Sequence, residues 1–94
     1  MNVTVRLPGV LRDIAGAGAA VPVRVPAGAT VRDALDALAR DLPAVERRVR
    51  DECGALRPHV NVFLGNTNIR DLALLATPLA PGAEVYVLPA VSGG

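Results

Sequence analysis

The sequence predicts an α+β fold in which a mixed sheet of four to five strands packs against one main helix. Two observations support this prediction. Apolar and polar residues alternate near both ends of the chain, which is the period of half-buried strands. Between them, apolar residues recur with the 3.6-residue period of an amphipathic helix. At 94 residues, the chain is long enough for one domain of ordinary size and too short for two.

The first two strands are predicted from alternation in the N-terminal part of the chain. Residues 2–7 alternate polar and apolar side chains, and Pro8 ends the run. Residues 21–25 alternate again, after residues 16–20, which are expected to form a loop rich in small residues. Because Pro22 lacks the amide hydrogen that a central strand must donate, we expect this second strand to lie at a sheet edge.

The main helix is predicted to begin after Thr30. Asp33 stands three residues later, which makes an acidic variant of the capping box, and Pro43 ends the helix. One face is apolar and comprises Val31, Ala34, Leu35, Leu38, Ala39 and Leu42. The opposite face carries charges spaced for ion pairs four residues apart, namely Arg32, Asp36 and Arg40. A shorter, more exposed helical segment is expected over residues 44–52.

The C-terminal half is predicted to contain the remaining strands. Residues 59–64 alternate as a third strand, and the turn residues 65–68 suggest a short hairpin partner around residues 69–70. Residues 71–78 form a loop or short helix in this interpretation. Leu72 and Leu75 of this segment, and Leu79 just after it, are expected to point inward. Residues 84–88 form the last strand, with Val85 and Val87 inward.

The order of these elements is typical of a known architecture. A β-ribbon, a crossover helix and a return strand fit the β-grasp, or ubiquitin-like, arrangement. The same pattern also suits ferredoxin-like domains, so the pattern alone leaves both open.

Composition excludes several classes of function. The net charge is +1, and the ten basic residues, all arginine, are scattered among nine acidic ones. The arginines therefore do not form a continuous basic stripe that could bind a phosphate backbone, and we expect no nucleic-acid partner. The longest apolar run, residues 72–80, is too short to span a membrane, and no signal peptide is seen, so a cytoplasmic protein is expected. One cysteine and one histidine provide neither an internal disulfide nor a zinc site.

The C-terminus carries the most informative motif. Pro89 stops the last strand, and small or apolar residues lead to Gly93-Gly94. With this ending the sequence resembles the MoaD/ThiS sulfur carriers, which are ubiquitin-like and end in di-glycine. The resemblance rests on the segments 28–31, 60–62 and 75–94. The opening residues and the Leu-Pro-Ala-Val ending look most like the actinobacterial carrier that serves cysteine biosynthesis. The segment 7–12 departs from molybdopterin synthase small subunits, because it lacks the aromatic residue common there.

The resemblance implies a domain over residues 1–89 followed by a flexible tail, 90–94. It implies that the carboxylate of Gly94 is adenylated by an E1-like enzyme of the MoeB/ThiF type, and that sulfur then displaces AMP to leave a thiocarboxylate. Glycine suits a chain end that enters a narrow nucleotide site, because it has no Cβ. The tail residues expected inside the partner's active site are Val91, Ser92, Gly93 and Gly94.

The other partners follow from the same resemblance. The activating enzyme uses ATP and Mg²⁺, so the carrier itself is expected to bind no cofactor or metal and to contain no catalytic residue. The sulfur acceptor implied is a biosynthetic enzyme, such as a pyridoxal-phosphate-dependent sulfhydrylase that builds cysteine on the carrier, with a metalloprotease that releases the product. Carriers of this type also serve thiolated metabolites.

Strand parity predicts the surface that partners bind. If Val85 and Val87 face the helix, the opposite sheet face carries Tyr86 and Leu88 from the last strand, Phe63 from the third and Arg6 from the first. These four residues are the predicted partner interface. A register shifted by one residue would instead bury Phe63 or Tyr86 in the core.

Two other reactive side chains are not expected to take part. Cys53 follows Asp51 and Glu52, an acidic setting unsuited to a reactive thiolate, so it is not predicted to carry sulfur. His59 stands at a strand start, where it is interpreted as structural or solvated.

Three functions remain open: a sulfur carrier, a protein modifier joined through Gly94 to lysines of other proteins, and the permanent small subunit of molybdopterin synthase. The chain contains no lysine. It therefore has no ε-amine that could capture its own activated C-terminus or carry a second copy. This favours a carrier over a modifier that polymerises.

Overall fold

A computed structural model describes residues 1–16 and 19–89 of the chain. It contains one sheet of five strands in the spatial order β2-β1-β5-β3-β4. The strands are β1 (Asn2–Arg6), β2 (Ala20–Arg24), β3 (Val60–Leu64), β4 (Thr67–Asn68) and β5 (Glu84–Pro89). The helices are α1 (Gly9–Ala15), α2 (Val31–Asp41) and α3 (Pro43–Val49). β1 runs parallel to β5, whereas all other pairings are antiparallel, so the sheet is mixed, as predicted.

The core lies between one face of this sheet and the helices. The alternation of the strands places valines on the inner face, where Val3, Val5, Val60, Val62, Val85 and Val87 are each at most 1% exposed. Val31, Leu35 and Leu38 of α2 belong to the same buried cluster. The main helix therefore covers one sheet face and leaves the other open. In the described ranges, none of the helices combines the length and apolar character needed to cross a membrane.

Two local predictions are confirmed. Strand β2 is the edge strand of the described sheet, and its Pro22 is paired with Thr4. Helix α2 begins after Thr30, whose backbone N–H donates to the Asp33 carboxylate at 2.8 Å. Proline at an edge and a carboxylate at a helix start are both dictated by backbone hydrogen bonding.

Residues 9–15, for which no helix was predicted, form helix α1. Gly16 closes it with the left-handed φ of +64°, and the Gly16 N–H donates to the Arg12 carbonyl. Leu11 is buried, and Ile14 packs against the core from a half-buried position. The helix has only seven residues, so its apolar repeat is too short to stand out as a helical period.

The strand that pairs with β3 begins sooner after the turn than predicted. Gly65 and Asn66 form the turn, and the partner strand is β4 rather than residues 69–70. Ile69 begins a 3₁₀ turn that extends to Asp71 and buries its side chain. Leu75 and Leu79 point inward as predicted.

Leu72 does not point inward, because it leaves the first 3₁₀ turn and is 47% exposed. A second 3₁₀ turn, Leu74–Ala76, follows it. Leu72 caps the first 3₁₀ turn and Leu75 lies in the second, so the interval of three residues between them does not place them on one face.

The predicted ion pairs along α2 are also wrong. Within the described residues, Asp36 pairs with neither Arg32 nor Arg40, but with Arg50 at 2.8 Å. Arg50, which follows α3, is only 7% exposed and also pairs with Glu46. Burial alone would lower the pKa of Arg50, but the hydrogen bonds to Glu46 and Asp36 outweigh it and raise that pKa. The Arg50 side chain thereby ties α2 to α3.

We expect Arg50→Ala to lower the free energy of unfolding by about 3 kcal/mol, because removing one partner strands a largely buried carboxylate at Glu46. Urea denaturation measures this loss. Arg40→Ala, an exposed arginine of α2, is the matched control and should change stability by less than about 0.5 kcal/mol. Equal effects of the two variants would show that Arg50 does not hold the helices together.

Leu74 has an unusual backbone conformation. Its φ is +54°, and it is the one residue other than glycine, among those described, with a positive φ. The conformation is held by Thr77, whose hydroxyl accepts the Ala73 N–H at 3.1 Å and donates to the Leu74 carbonyl at 2.7 Å. A leucine with positive φ is strained, whereas glycine adopts positive φ at little cost.

We therefore expect Leu74→Gly to leave the free energy of unfolding within about 1 kcal/mol of the parent, because relief of strain offsets the entropy that glycine gains in the unfolded chain. Thermal unfolding followed by circular dichroism tests this. A loss of several kcal/mol would mean that the Leu74 side chain stabilises the fold.

Candidate partner-binding face

The open face of the sheet brings three predicted residues into one row. In the register of the strands, Tyr86 of β5 is paired with Arg6 of β1 on one side and with Phe63 of β3 on the other. Paired residues project from the same side of a sheet. Val85 and Val87 alternate with Tyr86 and are fully buried, so the row lies on the face that the helices do not cover.

Leu88 extends this row along β5. It lies two residues beyond Tyr86 on the same face, is paired with Asn61, and is 41% exposed. β5 occupies the middle of the sheet between β1 and β3. The chain therefore passes from a central, doubly paired strand into residues 90–94 next to an exposed leucine.

Glu84 organises the polar part of this face. Arg6 donates from Nε to the Glu84 carboxylate at 2.6 Å, and the Tyr86 hydroxyl donates to the same carboxylate at 3.3 Å. The Arg6 guanidinium carbon also lies 5.9 Å from the centre of the Tyr86 ring, within cation–π range. The hydrogen bond to Glu84, supported by its charge, raises the pKa of Arg6.

Glu84 was missed in the sequence analysis. The signal was present, because Glu84, Tyr86 and Leu88 stand two residues apart on one strand and so share a face. The presence of Glu84 changes the electrostatics of this face. The positive charge of Arg6 is balanced within the chain, and the face offers aromatic and aliphatic surface beside a closed ion pair.

The structure thus places all four predicted interface residues, Arg6, Phe63, Tyr86 and Leu88, on one sheet face. The alternative register does not occur, because Phe63 and Tyr86 are both half-buried on the open face rather than in the core. That they bind a partner stays a prediction. Val91, Ser92, Gly93 and Gly94 lie outside the described residues.

The two reactive side chains set aside by the sequence analysis are both exposed. Cys53 is a free thiol in the loop after α3, with its N–H donating to the Asp51 carboxylate at 2.9 Å. His59 is exposed just before β3. In the part of the chain that the structure describes, no three side chains of the metal-binding types come together.

Comparison with known proteins identifies the family. The ThiS family model matches residues 5–94. The sulfur carrier protein CysO of Mycobacterium tuberculosis is 33% identical over the whole of both chains. Small archaeal modifier protein 1 of Haloferax volcanii is 42% identical over 89% of this chain and 91% of its own.

Solved structures agree with the sequence comparisons. The crystal structure of the Haloferax volcanii modifier has a TM-score of 0.87 at 38% identity, with full coverage of both chains. A chain in the Amycolatopsis orientalis BexX/CysO complex has a TM-score of 0.84 at 29% identity, covering 98% of this chain and 99% of that one. The β-grasp prediction is therefore confirmed, and the chain belongs to the ThiS family of ubiquitin-like sulfur carriers and small modifiers.

Proposed function

We propose that this chain is a sulfur carrier whose Gly94 carboxylate is adenylated by an E1-like enzyme and then converted to a thiocarboxylate. The observation that carries the proposal is the family match, which runs through Gly93-Gly94 to residue 94. Similarity over the full length to a protein described as a sulfur carrier supports it.

The chemistry explains why the carrier needs activation. A carboxylate is a poor electrophile, because neither of its oxygens can leave. In the proposed first step a Gly94 oxygen attacks the α-phosphorus of ATP, and pyrophosphate departs. A sulfur nucleophile then attacks the carbonyl carbon, and AMP leaves with that oxygen. The activating enzyme supplies Mg²⁺ and the catalytic groups, and the need for ATP agrees with the expected cytoplasmic location.

The sheet face fits the task of presenting the tail. Residues 90–94 number five, so they reach at most about 17 Å beyond Pro89 even when fully extended. The reacting centre of the enzyme must therefore lie close to the end of β5. An enzyme that binds Tyr86 and Leu88 fixes the position at which the tail begins. The positions that Gly94 can reach are thereby limited.

The absence of lysine supports the carrier role. An acyl adenylate reacts readily with a neighbouring amine, and this chain contains no lysine ε-amine. The activated carboxyl of one copy therefore cannot be lost to a lysine of another copy. A carrier needs this resistance to amine attack during the interval between adenylation and sulfur transfer.

For the acceptor, we propose an enzyme that uses the thiocarboxylate to build cysteine or a thiolated metabolite. The similarity to CysO favours cysteine, with a pyridoxal-phosphate-dependent sulfhydrylase as acceptor and a metalloprotease for release. The BexX/CysO structure shows that a related carrier forms a complex with another protein, which supports an acceptor that binds the carrier directly.

A second candidate is a protein modifier joined through Gly94 to lysines of other proteins. The relative that favours it is the Haloferax volcanii modifier, which is 42% identical. The two functions share the adenylation step and differ in the nucleophile. Adducts that retain the Gly-Gly remnant on lysines of other proteins would support conjugation, whereas stable co-purification with one large catalytic subunit would support a permanent molybdopterin synthase subunit.

The test of the proposal is the intact mass of the protein after incubation with its activating enzyme, ATP, Mg²⁺ and a sulfur donor. We expect a mass gain equal to one oxygen-to-sulfur exchange that persists in a thiol reductant. A control without ATP should show no gain. An unchanged mass in the complete reaction would refute sulfur carriage.

A further inference from the structure

A groove of about 680 Å³ lies beside α2, and its lining includes none of the four interface residues Arg6, Phe63, Tyr86 and Leu88. It is bounded by the start of α2, by residues 53–56 and by the second 3₁₀ turn. Its lining includes the apolar side chains of Leu56 and Leu75 together with Asp36 and Arg50. Its rim carries Arg32, Arg70 and Leu74.

Leu74 provides a fixed apolar contact on this rim. Its side chain is 47% exposed, although its backbone has the positive φ that leucine avoids. The buried Thr77 hydroxyl fixes the turn through its two hydrogen bonds. An exposed leucine held in this way is ready to pack against another molecule with little further loss of freedom.

The charges around the groove are not balanced. Arg50, at its base, is neutralised by Asp36 and Glu46. Arg70 donates to neutral oxygens, the carbonyls of Arg57, Pro58 and Val60 and the side chain of Asn61, and forms no ion pair with a described residue. Arg32 is exposed and forms no ion pair with any residue that the structure describes. Two exposed arginines without an acidic partner among the described residues therefore stand beside the apolar side chains of the groove.

We propose that this groove binds an acidic segment of a partner protein, with one apolar side chain packed against Leu74 and carboxylates beside Arg32 and Arg70. Charge complementarity selects the acidic partner. A nucleic acid fits poorly, because two arginines track few phosphates and the aromatic residues that could stack on bases, Phe63 and Tyr86, do not line the groove.

The consequence is a carrier with two separate binding surfaces. The sheet face carries a closed ion pair and aromatic surface, whereas the groove carries open positive charge and aliphatic surface. Because the groove shares no lining residue with Arg6, Phe63, Tyr86 and Leu88, both surfaces can be occupied at once. The inference is independent of the chemistry at Gly94 and holds for a carrier or a modifier.

The experiment selects twelve-residue peptides from a phage-displayed random library on the intact protein. We expect enrichment of aspartate and glutamate around a leucine, methionine or phenylalanine. A selected peptide is then titrated into ¹⁵N-labelled protein. The amide signals of Arg32, Ala55 and Leu74 should shift, and those of Phe63 and Tyr86 should not.

Matched variants separate binding from folding. Leu74→Gly should weaken peptide binding about tenfold, the effect of losing one anchor. Leu72→Gly removes a leucine of equal exposure outside the groove and should not weaken it. Arg32→Glu should also weaken binding about tenfold, while Arg40→Glu makes the same charge change on the same helix and should not.

Several outcomes would overturn the proposal. These are the absence of any enriched acidic peptide, enrichment of basic peptides, shifts confined to the sheet face, or equal effects of Leu74→Gly and Leu72→Gly. Signals of the groove that shift with protein concentration alone would assign it instead to contact between copies of this chain.

Discussion

Deletion of Gly94 is expected to reduce sulfur loading by about 100-fold or more. The variant still ends in a glycine carboxylate, but that carboxylate falls one residue, about 3.5 Å, short of the position that the enzyme presents to ATP. Misplacement of a reacting group by even 1 Å can cost about 100-fold in rate. The rate of ATP-dependent mass gain measures the effect.

The matched control for this deletion is Cys53→Ser. It removes the single thiol of the chain and should load at the parental rate, because the proposed chemistry takes place at the C-terminus. The free energy of unfolding of the deletion variant should equal that of the parent, since β5 ends at Pro89. If the deletion variant loads normally and the cysteine variant does not, the sulfur is carried by Cys53.

Leu88→Asp is expected to lower kcat/KM for loading by about 30-fold or more. Leu88 combines substantial exposure with a position at the root of the tail, so an enzyme that guides Gly94 must cover it. A carboxylate there would be buried without a partner, because Arg6 is already paired with Glu84. Loss of a central interface residue typically costs about 2 kcal/mol or more.

Leu72→Asp is the matched control, since it places the same charge on a leucine of similar exposure outside the strands of the sheet. It should load at the parental rate. Both variants should keep the circular dichroism spectrum of the parent. An equal loss in both, or no loss in Leu88→Asp, would show that the activating enzyme does not use the predicted face.

The sheet face could be predicted because it depends on strand parity. Once Val85 and Val87 are inward, the positions of Tyr86 and Leu88 follow from the two-residue period of a strand. The same local rules determine the edge position of Pro22 and the start of α2 at Thr30. Such features need no knowledge of distant parts of the chain.

The features that were missed depend on contacts between distant segments. Asp36 was predicted to pair along its own helix, but Arg50 reaches it from beyond α3 and is buried there. A buried guanidinium left without a partner is costly, whereas exposed pairs contribute little, so the Asp36 carboxylate pairs with Arg50. The link between Arg6 and Glu84 spans 78 residues and likewise leaves no local pattern. Helix α1 was missed for the opposite reason, because seven residues are too few for a clear period.

The proposed function depends on a short tail and on the central strand that precedes it. The tail provides the carboxylate, and the central strand β5 sets where the tail begins. In the proposed account the sheet face and the groove distinguish one partner from another, since the chemistry at Gly94 would be shared by carriers and modifiers. Specificity for the acceptor is therefore expected to map to these two surfaces.

The most direct test of sulfur carriage locates the sulfur within the loaded protein by tandem mass spectrometry. Cleavage after arginine releases residues 71–94 with the C-terminus, while Cys53 remains in residues 51–70 because Arg57 precedes Pro58 and resists cleavage. We predict that the oxygen-to-sulfur mass gain appears in the peptide 71–94 and maps to Gly94. Sulfur found only in the peptide 51–70, on Cys53, would contradict the account.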